Sequence, residues 1–97
     1  MKTVTIYDSM RFEKEMQEIT HYLETKKEYN VLLCIYAVAG NEPTIEDLKA
    51  LELAHYQKID ISDGICVLNV GGYIGESVRN KIAYAQLHGK EIVYHCN

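Results

Sequence analysis

Asn69-Val-Gly-Gly-Tyr-Ile-Gly-Glu-Ser77 is the stretch on which the fold turns. The apolar run before it, Gly64-Ile-Cys-Val-Leu-Asn-Val70, reads as a buried strand. Gly71, Gly72 and Gly75 then fall within five residues, and Ser77 opens a helical pattern as its expected N-cap. Val78, Ile82 and Ala85 form the inward stripe of that helix, and Gly89 is its expected C′ residue. Strand, glycine turn and helix start together expose backbone N–H groups to an anionic or hydroxyl-rich ligand. The spacing is not GxGxxG, and no Gly-Lys-Ser/Thr follows, which speaks against the usual dinucleotide and nucleoside-triphosphate loops.

The flanking chain supplies three more strand patterns and two more helices. Lys2–Tyr7 alternates with β-branched residues and predicts the first strand. Phe12, Met16, Ile19 and Leu23 recur at steps of 4, 3 and 4, which predicts a helix from Arg11 to about Lys26. Tyr29–Tyr36 is the most β-prone run, and its lack of alternation predicts burial on both faces, as in a central parallel strand. Thr44-Ile-Glu-Asp47 predicts a capping box opening a helix that runs to about Ile59. Leu48, Leu51, His55 and Ile59 are its inner stripe, and Asp60–Asp63 is the expected turn into the third strand. Lys90–His95 closes the chain as a fourth strand.

The order β-α-β-α-β-α-β predicts an α/β fold and a single domain over residues 1–97. The expected architecture is a flavodoxin-like three-layer sandwich, a four-stranded parallel sheet of order 2-1-3-4 with flanking helices. Ligands in such sheets bind beyond the carboxyl ends of the strands where the winding reverses. Here that point lies between strands one and three, where the loops Asp8–Arg11 and Val70–Ser77 meet.

Composition narrows the function. With 47% apolar and 25% charged residues, the 97-residue chain is ordinary globular material that buries one modest core. The net charge of −4, without a basic stripe, argues against a nucleic-acid polymer as partner but leaves a small nucleotide open. Cys34, Cys66 and Cys96 lack CxxC spacing and read as buried reduced thiols, a pattern that with no signal peptide suggests the cytoplasm. No apolar run has the length of a membrane span. No cofactor is expected, and His88 and His95 are not spaced with acids or cysteines as metal ligands would be. His21 reads as an exposed helix residue and His55 as a core or rim histidine.

The candidate ligand residues lie in the two loops. Ser9 and Arg11, beside Met10 at a helix start, suit a phosphate, while Asp8 sets a negative charge at the same place. Tyr73 reads either as a plain surface residue of the glycine loop or as a ring to stack on a base or cover the pocket. Glu76 is either a helix-dipole acid or a functional carboxylate, and Ser77 either a cap or a phosphate-binding hydroxyl.

Asp8-Ser-Met-Arg-Phe12, Lys58-Ile-Asp-Ile-Ser-Asp63, Asn69–Ser77, Ile82-Ala-Tyr-Ala85 and Gly89-Lys90 together resemble the small bacterial and phage members of the nucleoside 2-deoxyribosyltransferase-like superfamily. The likeness spans nearly the whole chain, and Gly-Gly-Tyr-Ile-Gly-Glu-Ser is its most specific part. It implies a flavodoxin-like fold, a dimer-based homo-oligomer, and cleavage or transfer of the N-glycosidic bond of nucleosides or their monophosphates. In that family a Glu on the helix after strand three attacks the anomeric carbon, in the setting Glu-Ile/Leu-x-Tyr-Ala. The matching stretch here is Lys81-Ile-Ala-Tyr-Ala85, and Asp8 stands where the group usually has Gly. An ammonium can neither attack nor stabilise a developing oxocarbenium ion.

The expectation is therefore a pocket of Asp8, Ser9, Met10, Arg11, Gly71, Gly72, Tyr73, Gly75, Glu76, Ser77 and Lys81. It would hold a nucleotide or nucleotide-derived molecule without efficient catalysis, a pseudoenzyme that sequesters or senses a nucleotide signal. The competing expectations are an active N-glycoside hydrolase or deoxyribosyltransferase using Glu76, and a protein-interaction domain.

Overall fold

A computed structural model describes residues 1–7, 13–34, 42–69 and 75–96. The elements are β1 (Thr3–Tyr7), α1 (Glu13–Lys26), β2 (Asn30–Leu33), α2 (Ile45–Ile61), β3 (Gly64–Asn69), α3 (Glu76–Leu87) and β4 (Glu91–Cys96). The four strands form one sheet in the order β2-β1-β3-β4, and every pairing is parallel. This is the expected flavodoxin-like α/β architecture.

Alternation along the strands divides the core in two. Tyr7, Ile65 and Val67 pack with Ile59 of α2 and with Val78, Ile82 and Ala85 of α3. Ile6, Cys66 and Leu68 point the other way, onto Met16 of α1, with Ile19 and Leu23 alongside. So α2 and α3 share one face of the sheet and α1 covers the other.

The helix boundaries follow local chemistry. Thr44 caps α2 through the predicted box: its hydroxyl accepts from Asp47 N–H at 3.0 Å, and the Asp47 carboxylate accepts from Thr44 N–H at 3.0 Å. Such a cap contributes about 1 kcal/mol. Gly89 takes φ +71 just beyond the His88 C-cap of α3, as expected of a C′ glycine. Glu28 takes φ 57 past the end of α1, the left-handed turn usually left to glycine or asparagine.

Two expectations are corrected. The Asp60–Asp63 segment is not all turn, because α2 continues through Ile61 before Ser62 caps it. Thr5 of β1 makes this extension useful: its buried hydroxyl shares a 2.6 Å hydrogen bond with that of Ser62, which also donates to the Lys58 carbonyl. Asp63 then ties three strand starts together: its carboxylate accepts from Thr3 N–H at 2.8 Å, its N–H donates to Thr3 O, and its carbonyl accepts from Glu91 N–H.

The second correction concerns β2. It lies at the sheet edge, as the 2-1-3-4 order expects, but the burial expected on both of its faces is not there: Asn30 and Leu33 are exposed and Val31 and Leu32 only partly covered. An apolar run reports a tendency toward burial, not a position in the sheet. Among the described residues β2 pairs with β1 alone, so its other edge has no strand beside it. The rest of the predicted run, Ile35 and Tyr36, lies outside the described residues.

Candidate functional site

The site begins where β1 and β3 end side by side. Tyr7 is the last residue of β1 and pairs in register with Val67, and β3 stops two residues later at Asn69. The loops that leave these strands therefore start next to each other. Asp8, Ser9, Met10, Arg11, Gly71, Gly72 and Tyr73 belong to those loops and lie outside the described residues.

The far side of the glycine loop is described. Gly75, not Ser77, is the N-cap of α3, at φ −71 and ψ 164. That is extended backbone open to any residue, so this glycine is not required by its conformation. Gly75 offers no capping side chain, so the first N–H groups of α3 receive no side-chain cap there. Glu76 is the first helical residue and is exposed. Ser77 falls one residue into the helix, which frees its hydroxyl to serve another group.

That group is Lys81. One turn on from Ser77, it lies on the inner face with Val78, Ile82 and Ala85 and is completely buried. Its ammonium donates to Glu52 Oε1 at 2.7 Å, to Glu52 Oε2 at 2.9 Å and to Ser77 Oγ at 2.8 Å. The Ser77 hydroxyl in turn reaches Glu52 Oε1 at 3.3 Å. Below, the ammonium sits 5.9 Å from the Tyr7 ring centre and 5.3 Å from that of Tyr56. The negative faces of both rings help replace the water that burial removes. Glu52 is the outer member of this pair, with its side chain 41% exposed.

Around the pair the walls are aromatic and fixed. Tyr7 is fully buried, donates its hydroxyl to the His55 carbonyl at 3.0 Å and meets the His55 ring edge-on. His55 is itself buried on the inner stripe of α2, as expected of a core histidine, and His21 is exposed. Tyr56 packs edge-on to Tyr84, whose hydroxyl donates to Asp60 at 2.6 Å. That hydrogen bond raises the Tyr84 phenol above its usual pKa. Burial pushes up the thiol of Cys34, and that of Cys66 to about 11. Both are free and buried, so neither is poised as a nucleophile.

Glu52 was not read from the sequence, although a signal was present. Leu48, expected on the inner stripe, is 39% exposed, but Glu52, His55 and Ile59 sit at steps of 3 and 4 on α2, and Val78, Lys81, Ile82 and Ala85 at steps of 3, 1 and 3 on α3. One acid and one base on two facing inner stripes is the pattern of an interhelical ion pair. Chemically, the arrangement is a carboxylate held rigid by a buried cation at the exit of the glycine loop.

No protein-family model, curated protein or solved structure matches the chain.

Proposed function

We propose that this chain binds a nucleotide or nucleotide-derived small molecule at the carboxyl edge of its sheet, without efficient glycosidic chemistry. The observation that carries the reading is the state of Lys81. It is buried, its ammonium is occupied by Glu52 and Ser77, and by the resemblance its position would be that of a nucleophilic carboxylate. A group in that position cannot attack an anomeric carbon. The chain keeps the strand order that joins the two loops and an α3 start without a side-chain cap, both of which suit ligand capture. With Lys81 neutralised by Glu52, attraction of a phosphate falls to Arg11 and the loop N–H groups.

Titration calorimetry against nucleoside monophosphates, cyclic nucleotides and ADP-ribose derivatives tests this. Saturable binding of at least one, with no free base released on prolonged incubation, is the expected result. Silence across the panel at millimolar concentration overturns the reading, and release of free base overturns its non-catalytic half.

A second copy of the chain is the proposed partner. The outer side of α2 exposes Leu53 at 63% and Ile61 at 71%, beside a shallow groove lined by Ala54, Gln57 and Lys58. Apolar side chains so placed mark an interaction surface. Leu53→Lys is expected to lower the mass measured by light scattering toward that of the monomer. An unchanged mass would move the interface elsewhere.

A further inference from the structure

We infer that β4 is an interface: its outer edge pairs, antiparallel, with β4 of a second copy of this chain, about a two-fold axis at Val93. This contact is separate from the one proposed at α2 and depends on no ligand.

The edge is long and unguarded. β4 runs beside β3 for six residues in unbroken register, with no proline or lysine between Glu91 and Cys96. Glu91 N–H donates to the Asp63 carbonyl, toward β3. Residues of a strand turn their N–H and C=O groups to alternate edges, so Glu91 and Val93 serve β3 while Ile92 and Tyr94 aim theirs outward. Among the described residues no strand receives them. Sheets blunt such an edge with a short strand, a bulge, a proline or a central charge, and β4 has none of these. Instead it exposes two neighbouring apolar residues on opposite faces, Val93 at 43% and Tyr94 at 51%. Cys66, beside Val93 in register, is buried with Met16 of α1, so the cover stops one strand short of β4.

The strand is complementary to itself, which selects a second copy as the occupant. A two-fold axis requires antiparallel pairing. With the axis at Val93, Ile92 of each copy faces Tyr94 of the other as a hydrogen-bonded pair, and each pair exchanges both of its N–H···O bonds. That sets an aliphatic side chain beside an aromatic one on the face where Ile92 already packs on the core of α2 and α3. On the other face Val93 meets Val93, and Glu91 falls opposite position 95, a histidine, so an acid faces a basic residue. Moving the axis to Tyr94 sets Val93 against position 95, and moving it to Ile92 sets Val93 against Glu91. Only the register centred on Val93 matches apolar with apolar and acid with base.

Sedimentation equilibrium on the chain carrying Leu53→Lys, which removes the α2 contact, tests this with and without Tyr94→Pro. Proline at 94 deletes an outward N–H and leaves the ladder to β3 intact. The Leu53→Lys chain is expected to have the mass of two chains and the double variant that of one. Val93→Lys, which sets two ammonium groups at the axis, is expected to act as Tyr94→Pro does and replaces it if the proline variant does not fold. A one-chain mass for Leu53→Lys alone overturns the inference and leaves the α2 contact standing. A mass unmoved by either β4 change also overturns it. If Leu53→Lys keeps the native mass and the β4 changes halve it, the α2 contact fails and this one stands. Register is read separately in a Cys96→Ser background. Facing Val93 positions would have Cα atoms about 4.5 Å apart, within the reach of a disulfide. Val93→Cys is therefore expected to oxidise to a covalent dimer, while Leu33→Cys, exposed on the opposite edge strand, is not. Equal yields from the two overturn the inference.

Discussion

Glu52→Ala is expected to lower the unfolding free energy by about 3 kcal/mol, the lower end of the cost of breaking a buried ion pair from one side. The reason is what remains. Lys81 keeps its ammonium at 0% exposure and its hydrogen bond to Ser77 Oγ, but loses the carboxylate that received two of its donors. The two tyrosine rings soften the loss but do not replace a counter-ion. The opposite deletion behaves differently. Lys81→Met keeps the volume of the stem and removes the buried charge, while Glu52 at 41% exposure can turn to water. That variant is expected within about 1 kcal/mol of the native chain. Combining Lys81→Met with Glu52→Ala is expected to recover most of the loss. Urea unfolding of the three variants at neutral pH measures this, read as midpoint shifts at constant slope. Equal losses from the two single changes would mean that the attraction itself, rather than the stranded charge, sets the cost.

Gly64→Ala is the second large effect. Gly64 opens β3 and pairs with Val4 on one side and Glu91 on the other. A methyl group there would meet the Glu91 carbonyl oxygen at 2.7 Å, the Glu91 Cβ at 3.1 Å and the Glu91 carbonyl carbon at 3.3 Å. The obstruction is the backbone of a paired strand, so no side chain can swing away. Either β4 shifts at its first residue or the sheet opens there, and forced overpacking costs about 2–3 kcal/mol. In a domain of this size the melting temperature should fall by roughly 10 °C or more. The Lys2–Glu91 ion pair at 2.9 Å marks the same corner, but it is exposed on both sides and adds little to hold it. A melting point within a degree or two of the native value would show that β4 adapts freely at Glu91.

What the sequence disclosed and what it hid divide along a physical line. Patterns within one element were legible: the Thr44 box, the Gly89 C′ position and the stripe of Val78, Ile82 and Ala85. The alternation of helices and strands was enough for the sheet order. The burial of β2 was misread, though its place at the sheet edge was not, because Tyr29–Tyr36 is as apolar as a central strand and nothing local says how much of it is covered. The cap of α3 was misplaced by two residues, since Ser77 is the better capping residue by chemistry. Its hydroxyl went instead to Lys81, an interaction visible only once α2 is laid against α3. Glu52 was missed for the same reason. The loop residues Asp8–Arg11 and Gly71–Tyr73 lie outside the described residues, so their part in the site still rests on their chemistry and on the strand ends from which they leave.

The Glu52–Lys81 contact also constrains how this chain can vary. A glutamate at position 81 would set a second carboxylate against Glu52 in a space built for one of each sign. A lysine at position 52 would set two ammonium groups there. Neither position can reverse its charge alone without burying like charges, so a route from this chain to one with an acid on α3 must first pass through a neutral residue at 52 or 81. The two positions are thus expected to vary together.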